Sequence, residues 1–142
     1  MSLPRNQVFV DTSFLIALLR SNDSDHSRAL TLYQQLQVTK ARLVTSEYVL
    51  LELGNGLSSL RVKPLAVNFF TQIYRDRTFE VIPTSAEIFS QALKRFTQYA
   101  DKEWGLIDCT SFIIMEKFRI DTALAADHHF QQAGFRALLL EP

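Results

Sequence analysis

The sequence predicts a three-layer α/β/α sandwich around a mostly parallel sheet, and three observations carry that prediction. Short apolar, β-branched runs alternate along the whole chain with longer stretches of helical periodicity, the pattern of repeated β-α-β crossovers. Two of those runs end at once on an aspartate, Asp11 after Gln7–Val10 and Asp127 after Thr122–Ala126. In sheets of this kind, sites form beyond the carboxyl ends of the strands. The composition is that of a folded protein: 47% of the 142 residues are hydrophobic and 21% charged, with only 4 Gly and 4 Pro. Disordered, linker-rich and collagen-like chains are thereby excluded, and the length corresponds to one domain over residues 1–142.

The elements follow in order. Gln7–Val10 reads as a strand, and Asp11-Thr12-Ser13 starts a helix carrying Phe14, Leu15, Leu18 and Leu19. Polar residues from Ser21 to Asp25 stop it, and Ser24 or Asp25 caps the next helix. Its apolar positions are Ala29, Leu30, Tyr33, Leu36 and Val38. Arg42–Thr45 is the second strand. A helix from Glu47 to Leu60 shows Val49, Leu53, Leu57 and Leu60 on one face, and another begins near Pro64, where proline is tolerated in a first turn. Phe79–Ile82 is the third strand, stopped by Pro83, and Ser85–Tyr99 is a helix. Ile107–Phe118 is almost wholly apolar and reads as a buried central helix. Thr122–Ala126 is the fourth strand, and Arg136–Leu140 closes the chain as a fifth.

Charge and cysteine usage narrow the setting. Fifteen Lys and Arg balance fifteen Asp and Glu, so no global basic field advertises nucleic-acid binding. No apolar run approaches the ~18 residues of a membrane span, and Met1–Asn6 lacks the apolar stretch of a signal peptide. The single cysteine, Cys109, has no internal partner for a disulfide. A reducing, cytoplasmic setting is expected.

The candidate chemistry is carboxylate chemistry. Any one of Asp11, Asp108 and Asp127, taken alone, reads as a helix cap. Glu52 is harder to explain that way. It sits inside an apolar helix, at the border of the Val49–Leu53 face and beside the small residues Gly56 and Ser59. Four carboxylates brought together repel one another unless a cation joins them. An all-oxygen donor set suits Mg²⁺ or Mn²⁺. Zinc is disfavoured, because His128 and His129 are adjacent rather than four residues apart and His26 lies in a polar loop. Cys109 reads as a buried structural thiol. The chain carries no G-x-S-x-G elbow, Walker A run or G-x-G-x-x-G fingerprint.

Four segments in this order carry a family likeness. They are Val8-Phe9-Val10-Asp11-Thr12-Ser13, Glu52 in its leucine-rich helix, the run from Asp101 through Trp104 and Asp108 to Phe112 without a break, and Ala125-Ala126-Asp127-His128-His129-Phe130. Together they resemble PIN-domain ribonucleases, above all the VapC-like toxins of type II toxin–antitoxin pairs. The resemblance covers nearly the whole chain and departs at Gly105, where similar toxins often carry Ser. It implies a PIN-like fold and a metal site of Asp11, Glu52, Asp108 and Asp127. Asp11 and Asp108 would be direct ligands of Mg²⁺ or Mn²⁺, with Glu52 and Asp127 acting partly through water. Ser13 or Thr12 would orient a carboxylate, water or phosphate, and Asp101 matches a position that is often polar in the family. The implied activity is cleavage of single-stranded RNA to 5′-phosphate and 3′-hydroxyl ends. The implied partners are RNA, a small antitoxin that masks the site, and a second copy of the chain paired through the early helices, roughly Thr12 to Ser59.

Removing the four site acids leaves 15 basic residues against 11 acidic, and Arg20, Arg61 and Lys102 are candidates to hold RNA phosphates. Rival readings meet specific obstacles. A haloacid-dehalogenase-like phosphatase needs an acid two residues after the first Asp, where this chain has Ser13. A receiver-type signalling domain needs an Asp after the third strand, where it has Ile82-Pro83-Thr84. A PIN-like scaffold that binds RNA or protein without cutting, and a PIN nuclease of RNA processing outside toxin–antitoxin pairs, remain the alternatives.

Overall fold

The structure, a computed structural model, describes residues 2–142. Five strands form one wholly parallel sheet: β1 (Gln7–Val10), β2 (Arg42–Ser46), β3 (Phe79–Ile82), β4 (Thr122–Leu124) and β5 (Arg136–Ala137), in the order β3-β2-β1-β4-β5. The chain first winds outward from β1 through β2 to β3, then crosses back and continues through β4 to β5. Because such crossovers are right-handed, reversing their direction puts helices on both faces of the sheet. Helices α1 (Thr12–Leu19), α2 (His26–Thr39), α3 (Glu47–Gly56) and α4 (Lys63–Ile73) belong to the outward leg. Helices α5 (Ala86–Gln98), α6 (Leu106–Lys117) and the short α7 (His128–Gln132) belong to the return.

Local sequence explains most boundaries. The side chains of Asp11, Ser46, Ser85 and Asp127 accept hydrogen bonds from the first-turn amides of α1, α3, α5 and α7, satisfying donors that a helix start leaves open. Pro64 stands in the first turn of α4, where it forfeits no helical bond. Gly134 ends the turn after α7 at φ 96°, a conformation that side chains with a Cβ resist. The apolar run of α6 is central as expected, with every residue from Cys109 to Met115 buried. Its Phe112 packs edge-on against Trp104 and Phe130, with ring centroids 5.1 Å apart in each case. That aromatic chain ties the start of α6 to α7.

The structure corrects the sequence reading at four places. In α2 the buried stripe is Ala29, Leu32 and Leu36, whereas Leu30 and Val38 turn off that face, Leu30 about 100° from Ala29 and Val38 about 200° from Leu36, and Val38 is 83% exposed. Helix α3 stops at Gly56, so Leu60 loses the helical register of Val49, Leu53 and Leu57 and lies 89% exposed. Strand β4 ends at Leu124; Ala125 and Ala126 run on to Asp127 outside the strand. Only Arg136 and Ala137 pair as β5, and Leu138–Leu140 turn into a 3-10 helix. Two bonds from the Arg136 guanidinium to Glu141, at 2.9 and 2.8 Å, require that turn. Five residues of extended strand would set the two side chains about 16 Å apart.

The contrast between Leu57 and Leu60 is measurable by urea unfolding. Leu57→Ala should cost about 2–5 kcal/mol by leaving a cavity, whereas Leu60→Ala should stay within about 0.5 kcal/mol of the parent. Comparable losses at both positions would contradict the observed end of α3.

Candidate active site

The sheet order reverses between β1 and β4, and the carboxyl ends of these neighbours carry Asp11 and Asp127. Register fixes them there: Val10 pairs with Leu124, and the Asp11 amide donates to the Leu124 carbonyl at 3.1 Å. Ser13 ties the two strand ends together. Its hydroxyl donates to Asp11 Oδ2 at 2.7 Å and accepts from the Ala126 amide at 3.0 Å, while its own amide donates to the same Asp11 oxygen at 3.2 Å. Asp11 is only 4% exposed, and its second oxygen, Oδ1, is buried without a partner. Burial, opposed by the Ser13 hydrogen bonds and reinforced by the charges of Asp108 and Glu52, pushes the Asp11 carboxyl up to about 7.

Asp108 lies in the first turn of α6, where its Oδ2 accepts from the Gly105 amide at 3.0 Å. The same oxygen takes a 3.0 Å bond from Nδ1 of His129 on α7. That nitrogen also stands 3.2 Å from Asp127 Oδ1, which caps α7 through the His129 amide at 2.9 Å. Both neighbours are acceptors, so the ring presents Nδ1 to them as an N–H donor. Burial raises the Asp108 carboxyl and the Asp127 charge adds to it, against the lowering effect of the Gly105 and His129 bonds.

Glu52 is exposed on α3, and its charge reaches Asp11. The structure therefore groups Asp11, Asp108, Asp127 and Glu52 at one end of the sheet. The four do not close on a single point. Among the described residues, one set of three groups brings its ligand atoms mutually within 4.8 Å, and it consists of Asp127, His128 and His129. Thr12 is buried beside Asp11 with its hydroxyl unpartnered. Asp101 lies exposed in the loop before α6, 3.9 Å from the Lys102 ammonium. By sequence His129 reads only as half of an adjacent pair that does not suit zinc; its contacts with Asp108 and Asp127 arise because α7 packs on α6. The available signal was its place two residues after Asp127, where a helix begins.

The donor set fits a hard divalent cation. A buried carboxylate oxygen without a donor is rare in folded proteins and calls for a missing positive partner. Asp11 Oδ1 meets that description, with two further carboxylates and the Thr12 hydroxyl near the same strand end.

A five-stranded parallel sheet in this order, with acids at the switch between its two halves, is the arrangement of a PIN domain. The PIN domain family model matches residues 8–136, and the chain belongs to that family. It is 33% identical over 129 residues to VapC20 of Mycobacterium tuberculosis, named a 23S rRNA-specific endonuclease, an alignment covering 90% of this chain and 95% of that protein. The crystal structure of M. tuberculosis VapC20, described as a Sarcin-Ricin loop cleaving toxin, superposes with a TM-score of 0.82 at 30% identity. That superposition covers 91% of this chain and 96% of the other. FitAcB from Neisseria gonorrhoeae (TM-score 0.63, 17% identity, 92% and 95% covered) shares the fold. So does VapBC2 from Rickettsia felis, bound to a DNA fragment from its promoter (TM-score 0.62, 16% identity, 92% and 96% covered).

The raised Asp11 carboxyl sets a pH dependence with a definite sign. Its folded value of about 7 exceeds the ordinary 3.8, so between them the native state holds a proton that the unfolded chain releases. The resulting stability is complete below the ordinary value and is lost as pH rises through about 7. In EDTA, the melting temperature should therefore rise on acidification from about pH 7.5 to 5.5. Each 1 kcal/mol recovered is worth roughly 4 °C. Asp11→Asn should flatten that slope, and a wild-type melting temperature that falls over the same interval would refute the assignment.

Proposed function

We propose that this chain is a divalent-metal-dependent endoribonuclease, acting on single-stranded regions of RNA as the toxin of a toxin–antitoxin pair, in the cytoplasm and as one domain over residues 1–142. The observation that carries the proposal is the unpartnered, buried oxygen of Asp11 amid further acids, on a chain sharing a third of its residues with a named 23S rRNA endonuclease. A loop of ribosomal RNA is accordingly the first substrate to test. Single strands suit the site because an unpaired backbone can enter an acidic cleft that an intact duplex cannot.

Asp11 and Asp108 would hold Mg²⁺ or Mn²⁺ directly, with Asp127 and Glu52 contributing partly through water. When bound, such an ion lowers the pKa of a water and neutralises charge on the phosphate oxygens. The residues of the chain supply position. Ser13 fixes Asp11 from two sides, and a carboxylate of Glu52 or Asp127 would orient or deprotonate the attacking water. Arg20, Arg61 and Lys102 are the candidates to grip flanking phosphates.

A small antitoxin covering the acids, with an arginine facing the carboxylates, is the partner this chemistry calls for. A homodimer is also proposed. The pairing would run through the early helices, roughly Thr12 to Ser59, where Phe14, Leu15 and Ala17 of α1 are spent in the core and the exposed apolar residues are Leu30 and Val38 of α2 and Leu51 of α3. No helix among the described residues is long and apolar enough to cross a membrane.

The test is cleavage of a ribosomal RNA fragment in millimolar Mg²⁺ or Mn²⁺. Asp11→Asn and Asp108→Asn should each lower the rate by about 10²-fold or more, with the circular dichroism of the fold retained, and EDTA should abolish cleavage. Cutting that persists in EDTA and in both variants would exclude the metal mechanism.

A further inference from the structure

Asp108 and Asp127 come from different elements, and one side chain joins them. Each carboxylate is already secured on its own element. Asp108 Oδ2 has the Gly105 amide, and Asp127 Oδ1 has the His129 amide as its helix-capping bond. Neither needs the imidazole for that purpose. What the ring adds is the link between α6 and α7, with Nδ1 at 3.0 Å from Asp108 Oδ2 and 3.2 Å from Asp127 Oδ1. The remaining oxygens, Asp108 Oδ1 and Asp127 Oδ2, take no hydrogen bond from the described residues.

The ring is also fixed from behind. A five-residue helix has no stability of its own, so α7 stays where its neighbours hold it. Phe130, fully buried, packs edge-on against Phe112 of α6, and Gln132 accepts from the Trp104 indole at 3.0 Å. Two residues that follow His129 are thus locked to α6 and to the segment that precedes it. The His129 side chain is only 15% exposed, which limits the rotamers open to it.

We infer that His129 is a positioning residue for the metal site: its Nδ1–H holds the Asp108 and Asp127 carboxylates in one fixed mutual arrangement, so that their free oxygens are set to receive the cation. The inference rests on the proposed metal-dependent reading and extends it to a residue outside the acidic set. Carboxylate ligands steered by outer hydrogen-bond partners lose metal affinity when the partner is removed, typically by about 10–100-fold.

Mn²⁺ titration of the full chain without RNA, followed by calorimetry, separates this role from a packing role. Asn carries its amide nitrogen near the position of Nδ1, whereas Gln carries it near Nε2. His129→Asn should bind Mn²⁺ within about threefold of wild type, and His129→Ala and His129→Gln should bind about 10–100-fold more weakly. Melting curves of the metal-free variants report whether each is folded. Should His129→Ala fail to fold, the Asn and Gln variants alone decide the matter. Equal affinity in wild type, Gln and Ala variants overturns the inference, as does an Asn variant no better than Gln. Wild type that binds no Mn²⁺ overturns the metal reading, and this inference with it.

Discussion

Asp11 leaves β1 with its carboxylate buried, one oxygen taken by Ser13 and the other facing no donor, and the active end of the molecule is organised around that deficit. A carboxylate in such surroundings is held near neutrality by desolvation. A positive partner would favour its ionised form. The fold creates the deficit deliberately, because β1 is the central strand of the sheet and its carboxyl end is enclosed by β4 and the start of α1. Moving Asp11 to an edge strand would expose it to water and remove the demand for a cation.

The same strand order explains why the other acids gather there. Sites in sheets of this kind form beyond the carboxyl ends of the strands that flank the reversal, here β1 and β4, and each acid reaches that end by a different route. Asp127 arrives as the cap of α7, Asp108 from the first turn of α6, and Glu52 from the exposed side of α3. The aromatic chain of Trp104, Phe112 and Phe130 sets the spacing between α6 and α7. Packing energy in the core thereby holds like charges near one another, an arrangement their own repulsion opposes.

Much of this was legible in the residues. Strand-then-aspartate at Asp11 and Asp127 announced a parallel sheet with a site at its carboxyl end, and the apolar run of α6 announced its burial. The order of the four acids identified the family. Three features were not legible because they depend on tertiary geometry. Leu60 fits the face of Val49 and Leu57 by periodicity, yet α3 ends before reaching it. Arg136–Leu140 reads as a strand until the pairing of Arg136 with Glu141 folds the chain back. His129 looked like a poor zinc ligand, since its partner acids lie 2 and 21 residues away in sequence and meet only across α6 and α7.

The central claim is that the unpartnered oxygen of Asp11 exists to bind a divalent cation. Anomalous diffraction from crystals of the protein soaked in Mn²⁺ tests it most directly. The account predicts a single strong peak coordinated by Asp11 Oδ1, with Asp108 in the same coordination sphere. No peak at millimolar Mn²⁺, or one held by Asp127, His128 and His129 without Asp11, would contradict it.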